Sequence, residues 1–204
     1  MARDIVAIGA SAGGLEAIEA LLMRLPPSLP AAVLVVLHRS VEHASYLPDL
    51  LRRMWAGPVT IGHEGDTLEH GVCYLGLPNC HLTVGPGGRI HLLPDGFYRG
   101  HSIDALFQSL ARNAGPRTIG VVLSGMLKDG SLGLRALKEA GGVALVQDPK
   151  EAAFREMPRN AIEYDGLIDF VGSIEELAGE ICRLAGRPGS EEAMERPSPN
   201  PAAK

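Results

Sequence analysis

Three side chains in this sequence have the types needed for nucleophilic hydrolysis: a serine, a histidine and an aspartate. Ser11 lies in a Gly-x-Ser-x-Gly-Gly segment, His38 follows a long apolar run, and Asp129 lies in a second glycine-containing segment. A hydroxyl becomes a nucleophile when an imidazole takes its proton and a carboxylate orients that imidazole. The three residues therefore predict acyl-transfer chemistry, provided that the fold brings them together.

The segment around Ser11 predicts a strand, a tight turn and a helix. Residues 5–8 are all apolar, and apolar residues recur at helical spacing after the glycines. Such a turn exposes a serine at the carboxyl end of a sheet, beside a helix N-terminus that favours negative charge. The same turn could instead hold a phosphate, as in dinucleotide-binding units, or be an ordinary turn with a serine N-cap.

His38 and Asp129 are predicted to lie at the same sheet edge as Ser11. Apolar residues 32–37 predict a second buried strand, and a strand-helix-strand unit makes the two strands parallel. A dinucleotide site needs an acidic residue after this second strand, where the chain has His38 and Arg39. A further buried strand precedes Asp129, which by itself would more often be a helix N-cap.

The whole pattern predicts an α/β fold: a doubly wound, mainly parallel sheet with helices on both faces, of the Rossmann-like type. Two short segments around a Gly-Pro-Gly-Gly turn predict an antiparallel hairpin near residues 81–93. We expect one domain over residues 1–185. Residues 186–204 are rich in proline, glycine and charge, and we expect them to be a disordered tail.

Two helix starts are predicted from serine residues. Ser102 precedes an amphipathic segment and is expected to cap its first turn. Ser173 and Glu176 have the spacing of a capping box, which predicts the start of the last helix.

Histidines and cysteines in the middle of the chain raise the question of a metal site. They are His63, His70, Cys73, Cys80, His81 and His91. Their spacing matches no usual ligand pattern, and residues scattered along strands point to alternating faces. We therefore expect no metal site among these residues.

The composition excludes several classes of protein. A net charge of −5 and a pI of about 5.8 argue against a nucleic-acid partner. No apolar run approaches the roughly 20 residues that span a bilayer, so no membrane insertion is expected. Three cysteines without a Cys-x-x-Cys pair indicate reduced thiols, and the early first strand leaves no room for a signal peptide. Both features predict a cytoplasmic location.

Taken together, these segments resemble the catalytic domain of the chemotaxis protein-glutamate methylesterases, the CheB family. The resemblance runs from about residue 4 to 185 and rests on the order and spacing of several motifs. They are Ile8-Gly-Ala-Ser11-Ala-Gly-Gly14, the strand ending in His38, His81-Leu82, Ser102-x-Asp104, Gly125-Met126-x-x-Asp129-Gly130 and Met157-Pro158-Arg159-x-Ala161.

The resemblance implies a serine carboxyl-ester hydrolase that removes methyl groups from glutamate methyl esters of chemoreceptors. Deamidation of receptor glutamines is implied as an additional activity at the same sites. Ser11 would be the nucleophile, His38 its base and Asp129 the residue that orients the imidazole. The backbone amides of Ala12 and Met126 would form the oxyanion hole, and no cofactor would be needed.

The chain also departs from the family pattern. Family members usually carry an N-terminal receiver domain, which we do not expect within this chain, so activity should be constitutive. Ala12 stands where threonine is common, Gly100-His101 replaces an Arg-Pro, and Asn79 or Cys80 takes the place of an aspartate. The implied partners are the cytoplasmic helices of methyl-accepting chemoreceptors and, for regulation, a separate receiver or regulatory protein.

Two alternative functions stay open. One is a non-catalytic signalling or interaction module with the same fold, against which the intact Ser11, His38 and Asp129 argue. The other is a nucleotide-binding protein, against which the missing acidic residue after the second strand argues.

Overall fold

A seven-stranded sheet forms the centre of the computed structural model, which describes residues 3–38, 46–94, 96, 100–164 and 167–186. Its strands are β1 (Ile5–Ala10), β2 (Ala32–Leu37), β3 (Val59–Ile61), β4 (Cys73–Leu75), β7 (Thr118–Val122), β8 (Val143–Gln147) and β9 (Phe170–Gly172). They are all parallel and lie in the order β3-β4-β2-β1-β7-β8-β9.

Helices cover both faces of this sheet, as predicted. They are α1 (Gly14–Leu22), α2 (Leu47–Met54), α3 (Ser102–Ala114), α4 (Ser131–Glu139), α5 (Glu156–Glu163) and α6 (Ile174–Ala185). Side chains from α1, α2 and α6 join the core on one face, and side chains from α3, α4 and α5 join the core on the other. The α/β, doubly wound fold class is therefore confirmed.

The central strand β1 supplies side chains to both cores because successive residues of a strand point to opposite faces. Val6 and Ile8 lie in the core beneath α1 and α6, whereas Ile5 and Ala7 lie in the core beneath α3 and α4. Such complete burial is typical of strands in parallel sheets, and it explains why the sequence shows continuous apolar runs.

The predicted hairpin is present as a separate two-stranded antiparallel sheet. It consists of β5 (Cys80–Gly85) and β6 (Arg89–Pro94), joined by a short 3₁₀ turn. Leu82, Val84 and Ile90 pack into the core shared with α3, so the hairpin is attached to the domain through apolar contacts.

One helix-start prediction is confirmed and the other is wrong. Ser173 and Glu176 form the predicted capping box at the start of α6. Ser102 does not cap α3, because it lies inside the first turn and His101 occupies the N-cap position without a side-chain cap. Most of the predicted tail, 187–204, lies outside the described residues.

The chain order places a topological switch point at β1, because β2 lies on one side of it and β7 on the other. In open α/β sheets, ligands bind beyond the carboxyl ends of the strands at such a point. Ser11 follows β1 directly, so the sequence motif lies at the position where this fold class builds its sites. None of the helices in the described ranges is long and apolar enough to cross a membrane.

Candidate active site

Strand register brings Ser11 and His38 side by side. Ala10 of β1 pairs with Leu37 of β2, and the His38 amide donates to the Ala10 carbonyl at 3.0 Å. Ser11 and His38 are the next residues on strands whose axes lie about 4.8 Å apart. Among the described residues, no hydrogen bond joins their side chains, and catalytic hydrogen bonds are often longer in a substrate-free site.

Strand β7 holds Ser11 from the other side. The Ser11 amide donates to the Ser124 carbonyl at 3.0 Å, which continues the pairing of β1 with β7. A Cβ atom built on Gly125 would lie 3.0 Å from the Ser11 Cβ atom and 2.6 Å from the Met157 Cε atom. Glycine at position 125 therefore allows the β7–α4 loop to approach the serine closely.

The His38 ring lies against the Asp129 carboxylate. Its Nε2 atom lies 2.7 Å from the Asp129 Oδ2 atom, and the two side chains are 28% and 3% exposed. Nε2 has no hydrogen bond of regular geometry, so this oxygen lies close to the ring nitrogen but away from the line of its N–H bond. The contact becomes an ion pair when the ring is protonated, and it leaves Nδ1 as the nitrogen that can serve Ser11.

Asp129 is oriented by the backbone of α3. Its Oδ2 atom accepts the Ile103 amide and its Oδ1 atom accepts the Asp104 amide, both at 2.9 Å. These are first-turn N–H groups with no partner inside the helix, so Asp129 caps α3 in place of the predicted Ser102. The buried carboxylate thus has a fixed orientation toward His38.

Asp104 returns the same interaction to α4. Its Oδ1 atom accepts the amides of Gly130 at 3.0 Å and Gly133 at 2.7 Å, at the start of α4. Burial raises the pKa of Asp104 to about 6, with a further contribution from the negative charge of Asp129. Two buried carboxylates therefore lie close to each other beside His38. Asp129 caps α3, and Asp104 caps α4.

Two backbone amides near Ser11 are available to a ligand. Within the ranges that the structure describes, the N–H groups of Ala12 and Met126 donate to no protein acceptor. Both belong to turns that follow central strands, and Met126 is 49% exposed. Amides of this kind can stabilise an oxyanion that forms next to the serine.

Beside His38 lies a pocket of about 150 Å³. Apolar side chains, including Leu37, Leu77 and Leu82, form its walls, and His38, His81 and Ser102 contribute polar groups. This volume suits a single side chain better than a drug-sized ligand, whose pockets measure roughly 300–1,000 Å³.

A cluster of possible metal ligands has another explanation. Over the described residues, such groups meet at His101, Asp104 and Asp129, with ligand atoms within 4.8 Å of one another. Both Asp129 oxygens and one Asp104 oxygen already accept backbone N–H groups, so helix capping accounts for the cluster. The six mid-chain histidines and cysteines form no such group in the described ranges, and burial raises the pKa of Cys73 to about 12.

The family model for CheB methylesterase matches residues 6–181 of the chain. This chain belongs to that family. A crystal structure of the Thermotoga maritima CheB methylesterase catalytic domain superimposes with a TM-score of 0.80 at 26% sequence identity. The alignment covers 89% of this chain and 98% of the Thermotoga chain, so the CheB catalytic-domain fold is present almost in full.

Curated relatives carry the name protein-glutamate methylesterase/protein-glutamine glutaminase. A Moorella thermoacetica protein is 36% identical over 89% of this chain and 44% of its own length. A Pseudomonas syringae pv. syringae protein is 37% identical over 82% of this chain and 51% of its own length. The chain thus spans about half the length of these CheB relatives.

Sequence reasoning did not foresee several residues that hold this CheB site together. The Ser124 hydroxyl donates to the Ala12 carbonyl and accepts the Phe154 amide, both at 2.9 Å, and the Ser124 amide donates to Gln147 Oε1 at 2.8 Å. These bonds join the turn after β1 to the segments after β7 and β8. Ser124 lies in the recognised glycine-containing segment, but nothing in the sequence indicated its partners.

Proposed function

We propose that this chain is a serine carboxyl-ester hydrolase that removes methyl groups from glutamate methyl esters of chemoreceptors. Ser11 is the nucleophile, His38 is the general base and Asp129 orients the imidazole. Glutamine deamidation at the same sites is the second activity in this proposal. The relatives' printed names, which give both activities, support it.

The observation that supports the proposal is the placement of Ser11 and His38 at adjacent strand ends, with the His38 ring against Asp129. Ser11 and His38 follow paired positions on neighbouring strands, and His38 lies 2.7 Å from a buried Asp129. Asp129 is held by two backbone amides, so it can stabilise a protonated His38 without moving. This is the order of groups that activates a serine hydroxyl.

The reaction proceeds by two acyl transfers. His38 takes the Ser11 hydroxyl proton at Nδ1 while Oγ bonds to the ester carbonyl carbon, and the amides of Ala12 and Met126 stabilise the oxyanion. The tetrahedral intermediate then expels methoxide, which receives the proton from His38 and leaves as methanol. Water attacks the acyl-enzyme by the same steps and releases the free glutamate side chain.

The partners in this proposal are the cytoplasmic helices of methyl-accepting chemoreceptors, and the location is the cytoplasm. Any regulation is proposed to come from a receiver or another regulatory protein.

Methanol release from methylated chemoreceptor membranes tests the proposal. We expect the wild-type chain to release methanol and to react with a fluorophosphonate probe. Ser11→Ala should abolish both signals, since loss of the serine in a comparable triad lowers kcat about a million-fold. The control is Ser28→Ala, because Ser28 is exposed in the segment between α1 and β2, at the opposite edge of the sheet.

The alternatives give different results in the same assays. A signalling module would bind receptor membranes without releasing methanol or reacting with the probe. A nucleotide-binding protein would show saturable nucleotide binding and no labelling. Labelling that persists in Ser11→Ala would remove Ser11 from the role of nucleophile.

A further inference from the structure

The loop between β7 and α4 contains a backbone conformation that leucine does not favour. Leu127 has φ of +66°, the only positive φ of a non-glycine residue in the ranges described. The left-handed region brings the Cβ atom of an L-residue too close to the backbone. The Leu127 side chain is 70% exposed, so burial of that side chain does not explain why the conformation persists.

Helix α5 holds both polar groups of Leu127. The Leu127 amide donates to Glu156 Oε2 at 2.9 Å, and the Asn160 side-chain amide donates to the Leu127 carbonyl at 2.6 Å. Glu156 and Asn160 are four residues apart, so they lie on the same face of α5. We call these two side chains the α5 clamp.

The base of the same loop is also fixed to α5. The Met157 amide donates to the Gly125 carbonyl at 2.9 Å, and the Gly125 amide donates to the Phe154 carbonyl at 3.0 Å. Met157 is fully buried, so the start of α5 is a firm support. The loop is therefore attached to α5 on both sides of Met126.

These bonds determine the direction of the Met126 N–H group. A peptide unit is planar and trans, so the Met126 N–H points opposite to the Gly125 carbonyl, which faces Met157. The next peptide unit is held by Glu156 through the Leu127 amide. Both peptide units that flank Met126 are thus fixed from α5, and the Met126 N–H points away from that helix.

We propose that Glu156 and Asn160 are positioning residues for the oxyanion hole: they hold Leu127 in its left-handed conformation and thereby aim the Met126 amide. This inference rests on the proposed function, in which the Met126 amide stabilises the oxyanion. Neither side chain of the α5 clamp touches the substrate in this mechanism. Their effect should therefore fall on kcat and leave KM nearly unchanged.

Steady-state methanol release tests the α5 clamp. Loss of one oxyanion donor typically lowers kcat about 10²–10³-fold, so a misaligned donor in Glu156→Ala or Asn160→Ala should lower it about 10- to 100-fold. KM should stay within about twofold. Glu156→Gln keeps an acceptor for the Leu127 amide and should retain most of kcat.

Two further variants separate positioning from folding. Glu163→Ala is the matched control, because Glu163 is on the same helix and its carboxylate bonds only to Arg159 among the described residues. In the Glu156→Ala background, Leu127→Gly should restore part of kcat, since glycine adopts positive φ without a Cβ clash. Amide hydrogen exchange at Leu127 should be faster in Glu156→Ala than in wild type and unchanged in Glu163→Ala.

The outcomes distinguish the two proposals. An active wild type with unchanged kcat in Glu156→Ala and Asn160→Ala would overturn the α5 clamp and leave the esterase proposal standing. A wild type that releases no methanol and does not react with the probe would overturn the esterase proposal, and the catalytic role of the α5 clamp with it. A loss of kcat that Leu127→Gly does not improve would show that Glu156 acts in some other way.

Discussion

At the scale of single residues, Asp129 serves two purposes with one carboxylate. It accepts the amides of Ile103 and Asp104, and the same group lies 2.7 Å from the His38 ring. A carboxylate that caps a helix is held by bonds that do not depend on the protonation of histidine. The position of the Asp129 carboxylate is therefore fixed before any substrate arrives.

Asp129→Asn should separate these two purposes. The single carbonyl oxygen of asparagine can still accept one of the two α3 amides, so the fold should be kept. The neutral side chain no longer stabilises a protonated His38. In a comparable triad this change lowers kcat about 10⁴-fold, and we expect a loss of about 10³- to 10⁴-fold in methanol release. Circular dichroism should match wild type.

The control for this change is Asp49→Asn, because Asp49 is an exposed aspartate that pairs with Arg52 on α2. It should alter neither the rate nor the spectrum. An Asp129→Asn enzyme with more than a tenth of wild-type kcat would mean that Asp129 is only a helix cap.

At the scale of elements, α3 and α4 exchange their N-terminal caps. Asp104 from α3 accepts amides at the start of α4, and Asp129 from the turn before α4 accepts amides at the start of α3. Close packing accompanies this exchange, since a Cβ atom on Gly133 would lie 2.5 Å from the Phe107 Cβ atom. This arrangement is unfavourable in one respect, because it places two carboxylates close together in a buried space.

The free energy of unfolding should depend on pH because of Asp104. Its pKa is raised to about 6 in the folded protein, against about 3.9 for an aspartate in an unfolded chain. Between these values the folded state binds more protons, so the free energy of unfolding falls as the pH rises through this window. Asp104→Asn keeps the Oδ1 acceptor and removes the titration, and should be more stable than wild type above pH 6 by about 1–3 kcal/mol.

Urea unfolding of both proteins from pH 4 to pH 8 measures this difference. The advantage of Asp104→Asn should be near zero at the acid end, grow between about pH 4 and 6, and then level off. His101 Nδ1 lies 3.5 Å from Asp104 Oδ2, so the series should be repeated with His101→Ala in both backgrounds. A difference that does not change with pH would contradict the assignment to Asp104.

The elements themselves could be predicted from the sequence, but the bonds between them could not. Long buried runs such as 32–37 identify strands because both faces of a parallel sheet are covered. The Ser102 prediction was wrong because a carboxylate about 26 residues further along the chain occupies the site that a local cap would use. The α5 clamp was missed for the same reason, since Glu156 is 29 residues from Leu127 in sequence.

At the scale of the whole molecule, the amino and carboxyl edges of the sheet differ in the polar contacts that they make. At the amino edge, Asp4 accepts two bonds from Arg117 at 2.8 and 2.7 Å and lies 3.3 Å from His70. These polar contacts join the starts of β1 and β7 to the segment before β4. At the carboxyl edge, the His38 ring lies 2.7 Å from Asp129, and the Ser11 hydroxyl makes no hydrogen bond within the described ranges. A hydroxyl left open in this way fits an edge that serves chemistry.

Ser11, His38 and Asp129, with the strands that precede them, all lie within the described residues. The family match ends at residue 181, and α6 ends at Ala185 with Leu177 and Ile181 buried in the core. Removal of residues 187–204 should therefore change the rate of methanol release by less than about twofold, which corresponds to about 0.4 kcal/mol. Truncation after Gly172 is the contrasting control, since it removes α6 and should prevent folding. A tenfold rise or fall in the rate on removal of 187–204 alone would contradict this prediction. It would mean that this segment affects the active site.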